Sequence, residues 1–248
     1  MQMNETITIT LGDQAENHVG MQKLGKLSEI GFSLADLITA RDWFGSQGVS
    51  TELIDLNFPL GNLNIYPDDE AYILVVRQGI DYLLQPTNSA TDCFSELNSL
   101  NWDKHARHNL CFGNINQEPN YTNGKGRIVS FKNVPLLKKI KYKLCEILNL
   151  DLSDLVAEGN YYYDITKCGI GYHGDSERKK VIGVRFGASI PLVYQWFYQS
   201  NPIGSGIEIN LDGGDIYIMS EKATGNDWKK KNIYTLRHAA GAEKFHNI

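Results

Sequence analysis

No stretch of this 248-residue chain approaches the roughly 18 uninterrupted apolar residues of a membrane-crossing helix, so a protein that spans a bilayer by helices is not expected. The opening MQMNETITIT has neither the basic start nor the apolar core of a signal peptide, and a cytoplasmic protein is expected. Cysteine is scarce. Cys93, Cys111, Cys145 and Cys168 are scattered without a CxxC pair, which argues for reduced thiols over a disulfide framework or a cysteine zinc site. Positive charge is not in excess either. A net charge of −5 argues against coating duplex nucleic acid by bulk electrostatics, while leaving room for local basic patches. There is no internal repeat and no low-complexity segment. What remains is a composition of 42% hydrophobic and 21% charged residues, ordinary for a globular protein of one large domain or one and a half.

Along the chain the first hundred residues look mixed. GMQKLGKLSEIG reads as a short helix, and SLADLITARDWFGSQG as a better one, with Ser33 and Asp36 spaced as a capping box. TELIDLNF and AYILVVRQG read as strands. Two helices in succession also allow a helix-turn-helix regulator, although nothing basic marks the second. Residues 134–149 form the clearest helix: Leu137, Ile140, Leu144, Ile147 and Leu148 follow a 3.6-residue period, and Lys138, Lys139, Lys141 and Lys143 fall mostly off that stripe, as on a solvated face. From 160 onward come short strand-like runs separated by Gly, Asn, Asp and Pro: NYYYDI, GIGYHGD, KVIGVRFGAS, PLVYQWFYQ, SGIEINL, GDIYIMS and IYTLRHA. The expected class is α+β, with an N-terminal α/β extension over 1–100, one buttressing helix, and a sandwich or barrel core within 101–248.

The chemistry concentrates in GIGYHGDSER. In an extended chain residues i and i+2 share a face, so His173 and Asp175 converge on one point. A second histidine on a distant strand, His238 in YTLRHAA, would complete two imidazoles and one carboxylate, the donor set of ferrous oxygenase sites. The blander reading is a histidine satisfied in a turn, within a non-catalytic β-barrel binding module. His246 is a poorer third ligand near the chain end, and His105 and His108 read as substrate-side or surface residues.

NYYYDITKCGIGYHGDSE resembles the signature of the AlkB-like 2-oxoglutarate- and iron-dependent dioxygenases. ARHNLCFGN resembles the segment that begins that family's substrate lid, VIGVRFGAS its strand after the His-x-Asp loop, and GGDIYIMS its Gly-Asp-(apolar)-Met-Ser run. The resemblance covers about 105–238 and implies a double-stranded β-helix (jelly-roll) core. It implies Fe(II) held by His173, Asp175 and His238, which would then be catalytic. It further implies 2-oxoglutarate bonded by Asn160 and Tyr162, and Arg107, Asn109 and Phe112 on the substrate side.

One departure concerns the cation for the distal carboxylate of 2-oxoglutarate. The family places paired arginines beyond the second histidine, and no arginine follows His238 here. A buried carboxylate still needs a cationic partner. Arg185 is the first candidate, because Val181, Gly183 and Arg185 share one face of their strand; Arg237 and Lys244 are the others. A second departure is one of register, since KNIYTLR also aligns with the family's closing arginine strand through Lys231 and Arg237. That register leaves no third ligand. Asp175 retains the carboxylate that a halogenating relative would lack.

The function expected from the resemblance uses Fe(II), 2-oxoglutarate and dioxygen to hydroxylate or oxidatively demethylate a nucleobase, in single-stranded nucleic acid or as a nucleotide. The same chemistry on a small molecule or protein side chain is the alternative. Residues 125–143 carry Lys125, Arg127, Lys132, Lys138, Lys139, Lys141 and Lys143 with no acid, and bases could stack on Phe112, Tyr121 or Trp196.

Overall fold

A strict Thr-Ile alternation at the start of the chain sets the middle of the main sheet. In the computed structural model, which describes residues 3–17, 22–103 and 108–248, strand β1 (Thr6–Gly12) is followed by the hairpin β2 (Gln14–Asn17) and β3 (Gln22–Gly25). Then come α1 (Leu34–Ser46), β4 (Thr51–Asp55), the short α2 (Phe58–Gly61), β5 (Tyr72–Val76), α3 (Gly79–Leu84) and α4 (Ala90–Asn98). Strands β6 (His108–Gly113) and β7 (Ile128–Ser130) precede α5 (Pro135–Ile147). The rest is strand: β8 (Val156–Tyr162), β9 (Gly169–His173), β10 (Val181–Gly187), β11 (Ile190–Tyr198), β12 (Asn201–Leu211), β13 (Ile216–Met219) and β14 (Thr235–Gly241).

The architecture is α+β. An eight-stranded sheet runs β4-β5-β13-β10-β1-β8-β6-β7, and a four-stranded sheet runs β12-β11-β14-β9. From β8 onward the chain alternates between them: β8, β10 and β13 enter the large sheet, while β9, β11, β12 and β14 form the small one. Period-2 patterning divides the faces of the large sheet. Ile7, Ile9 and Leu11 of β1, Ile182, Val184 and Phe186 of β10, and Ile216 and Ile218 of β13 pack with α1, α3, α4 and α5 in one buried core. The opposite face looks toward the small sheet, where Val181, Tyr217 and Met219 join Leu192, Tyr194, Trp196, Leu236 and Ala240 in a second core. Each fully buried Ile or Leu contributes about 1.5–3 kcal/mol. A one-residue slip of β1 would turn its isoleucines into the inter-sheet space and its threonines toward the helices.

Several expectations are corrected here. Residue 100 is not a boundary in the sheet: β1 lies between β8 and β10, and β4 and β5 extend the same sheet through β13, so residues 1–100 are no separate extension. Among the described residues α1, α3 and α4 of the N-terminal part pack on the large sheet beside the expected buttressing helix α5. Within GMQKLGKLSEIG, Gln22–Gly25 is a strand, because Leu24 packs with Ala15, Cys111 and Ile128; no helix-turn-helix forms there among the described residues. The α1 capping box stands as expected, with Asp36 N donating to Ser33 Oγ (3.2 Å) and Ser33 N to the Asp36 carboxylate (2.7 Å). On α5, Leu137, Ile140 and Leu144 of the apolar stripe are buried and Ile147 and Leu148 are half-buried against the same core, but Lys141 is buried too, its ammonium 4.3 Å from the Phe131 ring centre. No described helix is long and apolar enough to cross a membrane.

Candidate metal centre

His173 ends β9 and pairs directly with His238, which sits in the middle of β14. Both side chains point between the sheets, their ring centres 4.5 Å apart. The chain then turns at Gly174, and Asp175 brings its Oδ1 to 3.7 Å from His173 Nε2 and 3.8 Å from His238 Nε2. One donor atom from each residue lies within 4.8 Å of the other two. Glycine is required between His173 and Asp175: a Cβ on Gly174 would come within 1.9 Å of the Gly225 carbonyl oxygen, the segment that also accepts the Asp175 amide at Thr224 O (2.9 Å).

Both imidazoles are in a form that could hold a cation. His173 Nδ1 lies 2.9 Å from the Gly171 carbonyl oxygen. A carbonyl only accepts, so Nδ1 carries the proton and Nε2 keeps its lone pair toward Asp175. His238 is 6% exposed, and burial holds its pKa well below the usual imidazole value, with His173 and Arg178 adding to the effect. A neutral imidazole is the form that ligates metals.

The triad forms part of the wall of a cavity of about 130 Å³ between the sheets. That is room for several water molecules or one small polar molecule. Asn160, Tyr162 and Arg185 line it, as do Thr8 and Thr10 of β1, Glu158 of β8, Tyr217 of β13, and Arg178 of the loop after Asp175. Strand register places Asn160, Thr8 and Arg185 side by side across β8, β1 and β10. Arg185 is 1% exposed and donates to Ile190 O (3.2 Å), while its Nε has no partner and no described carboxylate pairs with it. Thr8 Oγ1 is likewise buried and unpartnered. The Tyr217 side chain is the polar neighbour of Arg185, but no described carboxylate compensates the buried charge, and an anionic ligand would do so.

Other expected site residues lie elsewhere. Arg237 is turned to the opposite face of β14, as strand alternation requires next to His238; its guanidinium is 4.0 Å from the Phe197 ring centre and 5.2 Å from that of Trp228. Lys244 stands over Phe245, not in the cavity wall. Phe112 is fully buried in the helix-side core beside Trp102 and Phe131, and cannot stack on a substrate. Trp196 is also fully buried, its indole donating to Leu56 O (2.6 Å). Asn109 stands behind the cavity wall and donates to Glu158 Oε1 (3.2 Å). Tyr121 is half-exposed, bonded to Asp103 (2.7 Å), and does not line the cavity. Arg107 and His105 lie outside the described residues.

No family model matches the chain. It is 54% identical to an uncharacterized protein of Acanthamoeba polyphaga mimivirus, over 98% of either chain. The chain belongs to the same family as that viral protein.

Proposed function

We propose that this protein is an iron(II)- and 2-oxoglutarate-dependent dioxygenase, as its resemblance to the AlkB-like enzymes implies. The observation that carries the reading is the convergence of His173, Asp175 and His238 on one point in the wall of a cavity between the two sheets, with the tautomer of His173 set by Gly171 O. Two neutral imidazoles and a carboxylate suit a divalent transition metal and leave coordination positions open. When bound, iron and the 2-oxo acid would supply the oxidising chemistry, coupling decarboxylation to attack on a substrate C–H bond.

The residues' own tasks follow from their places. Arg185 and Thr8 would receive the distal carboxylate of the cosubstrate, with Asn160 and Tyr162 along its length. The sheet alternation supports a double-stranded β-helix in which β1, from the other end of the chain, takes the place of the closing strand between β8 and β10. In that arrangement the closing strand carries threonines, and the cation has moved to its neighbour β10. This accounts for the lack of an arginine after His238.

For the substrate, the resemblance favours a nucleobase. With Phe112 and Trp196 buried, the aromatic best placed to meet a nucleic acid is Trp228, whose indole donates to Ser176 Oγ (2.8 Å) beside the ligand Asp175. It begins the run Trp228-Lys229-Lys230-Lys231, and the three lysines are exposed.

The test is anaerobic addition of iron(II) and then 2-oxoglutarate to the full chain. A visible charge-transfer band that requires both, and that is lost in His238→Ala, is the expected result. Absence of metal binding, or metal binding unaffected by 2-oxoglutarate, overturns the proposal. Turnover screening then begins with alkylated oligonucleotides and nucleotides.

A further inference from the structure

Two arginines line the cavity, and their surroundings differ. Arg185 has no carboxylate partner among the described residues. Arg178, 3% exposed, is surrounded by them: its guanidinium donates to Glu158 through Nη2 and to Glu177 through Nη2 (2.6 Å) and Nε (3.1 Å), and Nε lies 3.7 Å from Asp175 Oδ2. With Nε and Nη2 set among three carboxylates, the charge of Arg178 is already compensated, unlike that of Arg185. The same contacts make it well placed to orient a neighbour.

We infer that Arg178 is a positioning residue that restricts Asp175 to ligation through a single oxygen; this rests on the reading of the triad as a metal site. The two oxygens of Asp175 are directed differently: Oδ1 faces both histidine Nε2 atoms, and Oδ2 faces Arg178. A free carboxylate can chelate through both oxygens, which would use one of the positions that the bound cosubstrate and dioxygen need. The guanidinium is a permanent cation of fixed plane, and it keeps Oδ2 turned away. It is itself held: Glu158 accepts from Asn109 (3.2 Å) and Asn160 (3.3 Å), so a polar chain runs Asn160–Glu158–Arg178–Asp175 from the cosubstrate side of the cavity to the ligand. Local sequence supplies the device, since Arg178 N donates to Asp175 O (3.3 Å) in the turn that follows the ligand.

The experiment compares the full chain, Arg178→Gln, and the double variant Glu158→Gln with Arg178→Gln, using manganese(II) titration and the visible bands of the cobalt(II)-loaded protein. The double variant removes both partners of the principal buried ion pair and so avoids the uncompensated Glu158 carboxylate that the single variant leaves. Outer-shell partners of metal ligands typically carry ten- to hundred-fold in affinity, and a loss of that size is expected in both variants, with shifted cobalt bands as the restraint of Arg178 on Oδ2 is lost. A merely structural Arg178 predicts recovery in the double variant. Wild-type manganese affinity and unchanged cobalt bands in a folded double variant overturn the inference while leaving the metal site standing. If the unaltered chain takes up no manganese, the metal reading itself fails and this inference goes with it.

Discussion

Thr8 and Arg185 stand opposite each other on adjacent antiparallel strands, and each keeps one buried polar atom, Oγ1 and Nε, without a hydrogen-bond partner. They come from opposite parts of the chain, and the sheet register alone makes them neighbours. If they receive a carboxylate, Arg185→Gln weakens 2-oxoglutarate binding about 10–150-fold and Thr8→Val about fivefold, from charge-assisted and neutral hydrogen bonds of about 1.5–3 and 1 kcal/mol. Stability does not fall in step, because Thr8→Val removes a buried hydroxyl that has no partner in the free protein. Calorimetric binding and urea midpoints measured together separate the two effects; unchanged binding in both variants rules out this seat for the cosubstrate.

His173, Asp175 and His238 converge, and His246 near the chain end is not among them. His173→Ala, Asp175→Ala and His238→Ala are each expected to abolish manganese(II) binding, whereas His246→Ala leaves it unchanged, since His246 is not part of the converging set. Isothermal titration decides. Binding that survives His238→Ala would remove the central claim.

Alkaline pH tests a structural contact of Tyr121. Burial and the hydrogen bond to Asp103 push its pKa up to about 12 from 10. The unfolded chain then releases this proton above pH 10 while the native protein keeps it, so the stabilisation is complete below pH 10 and is lost as pH rises through 12. Tyr121→Phe is expected to be less stable than wild type at neutral pH, with the gap closing over that window. Urea unfolding at pH 8, 10 and 11.5 reads it. A constant gap contradicts the assignment.

Gly183 lies under the Tyr217 ring, where an added Cβ would come within 1.8 Å of it. Gly183→Ala is expected to cost at least about 1–3 kcal/mol by overpacking and to displace the ring that lines the cavity beside Arg185. A shift in thermal midpoint accompanied by weaker cosubstrate binding is the outcome sought; a neutral alanine would mean that the ring moves freely.

Much of the C-terminal half was legible as local pattern. All seven strand-like runs after residue 160 are strands, and period-2 alternation correctly put Arg185 on the same face as Val181, which also lines the cavity. The spacing of His173 and Asp175 told of convergence because an extended chain repeats every two residues. β1 was missed although Thr6-Ile7-Thr8-Ile9-Thr10-Leu11 is a plain alternating signal, and with it went Thr8 and Thr10. Arg178 was missed for a different reason: an arginine in a turn reads as a solvent-exposed charge until its burial against three carboxylates is seen. Arg237 and Phe112 were misplaced because motif position says nothing about which side of a strand faces the cavity.

By itself the sequence determined the strands after residue 160, the α1 cap, the apolar stripe of α5 and the pairing of His173 with Asp175, all of which depend on residues within a few positions of one another. Only the tertiary structure decided that His238 meets them, that β1 closes the sheet between β8 and β10, and that one cavity arginine is compensated while the other is not. These are relations across long stretches of chain. They are set by sheet register and by the burial of two cores, and no local period encodes them.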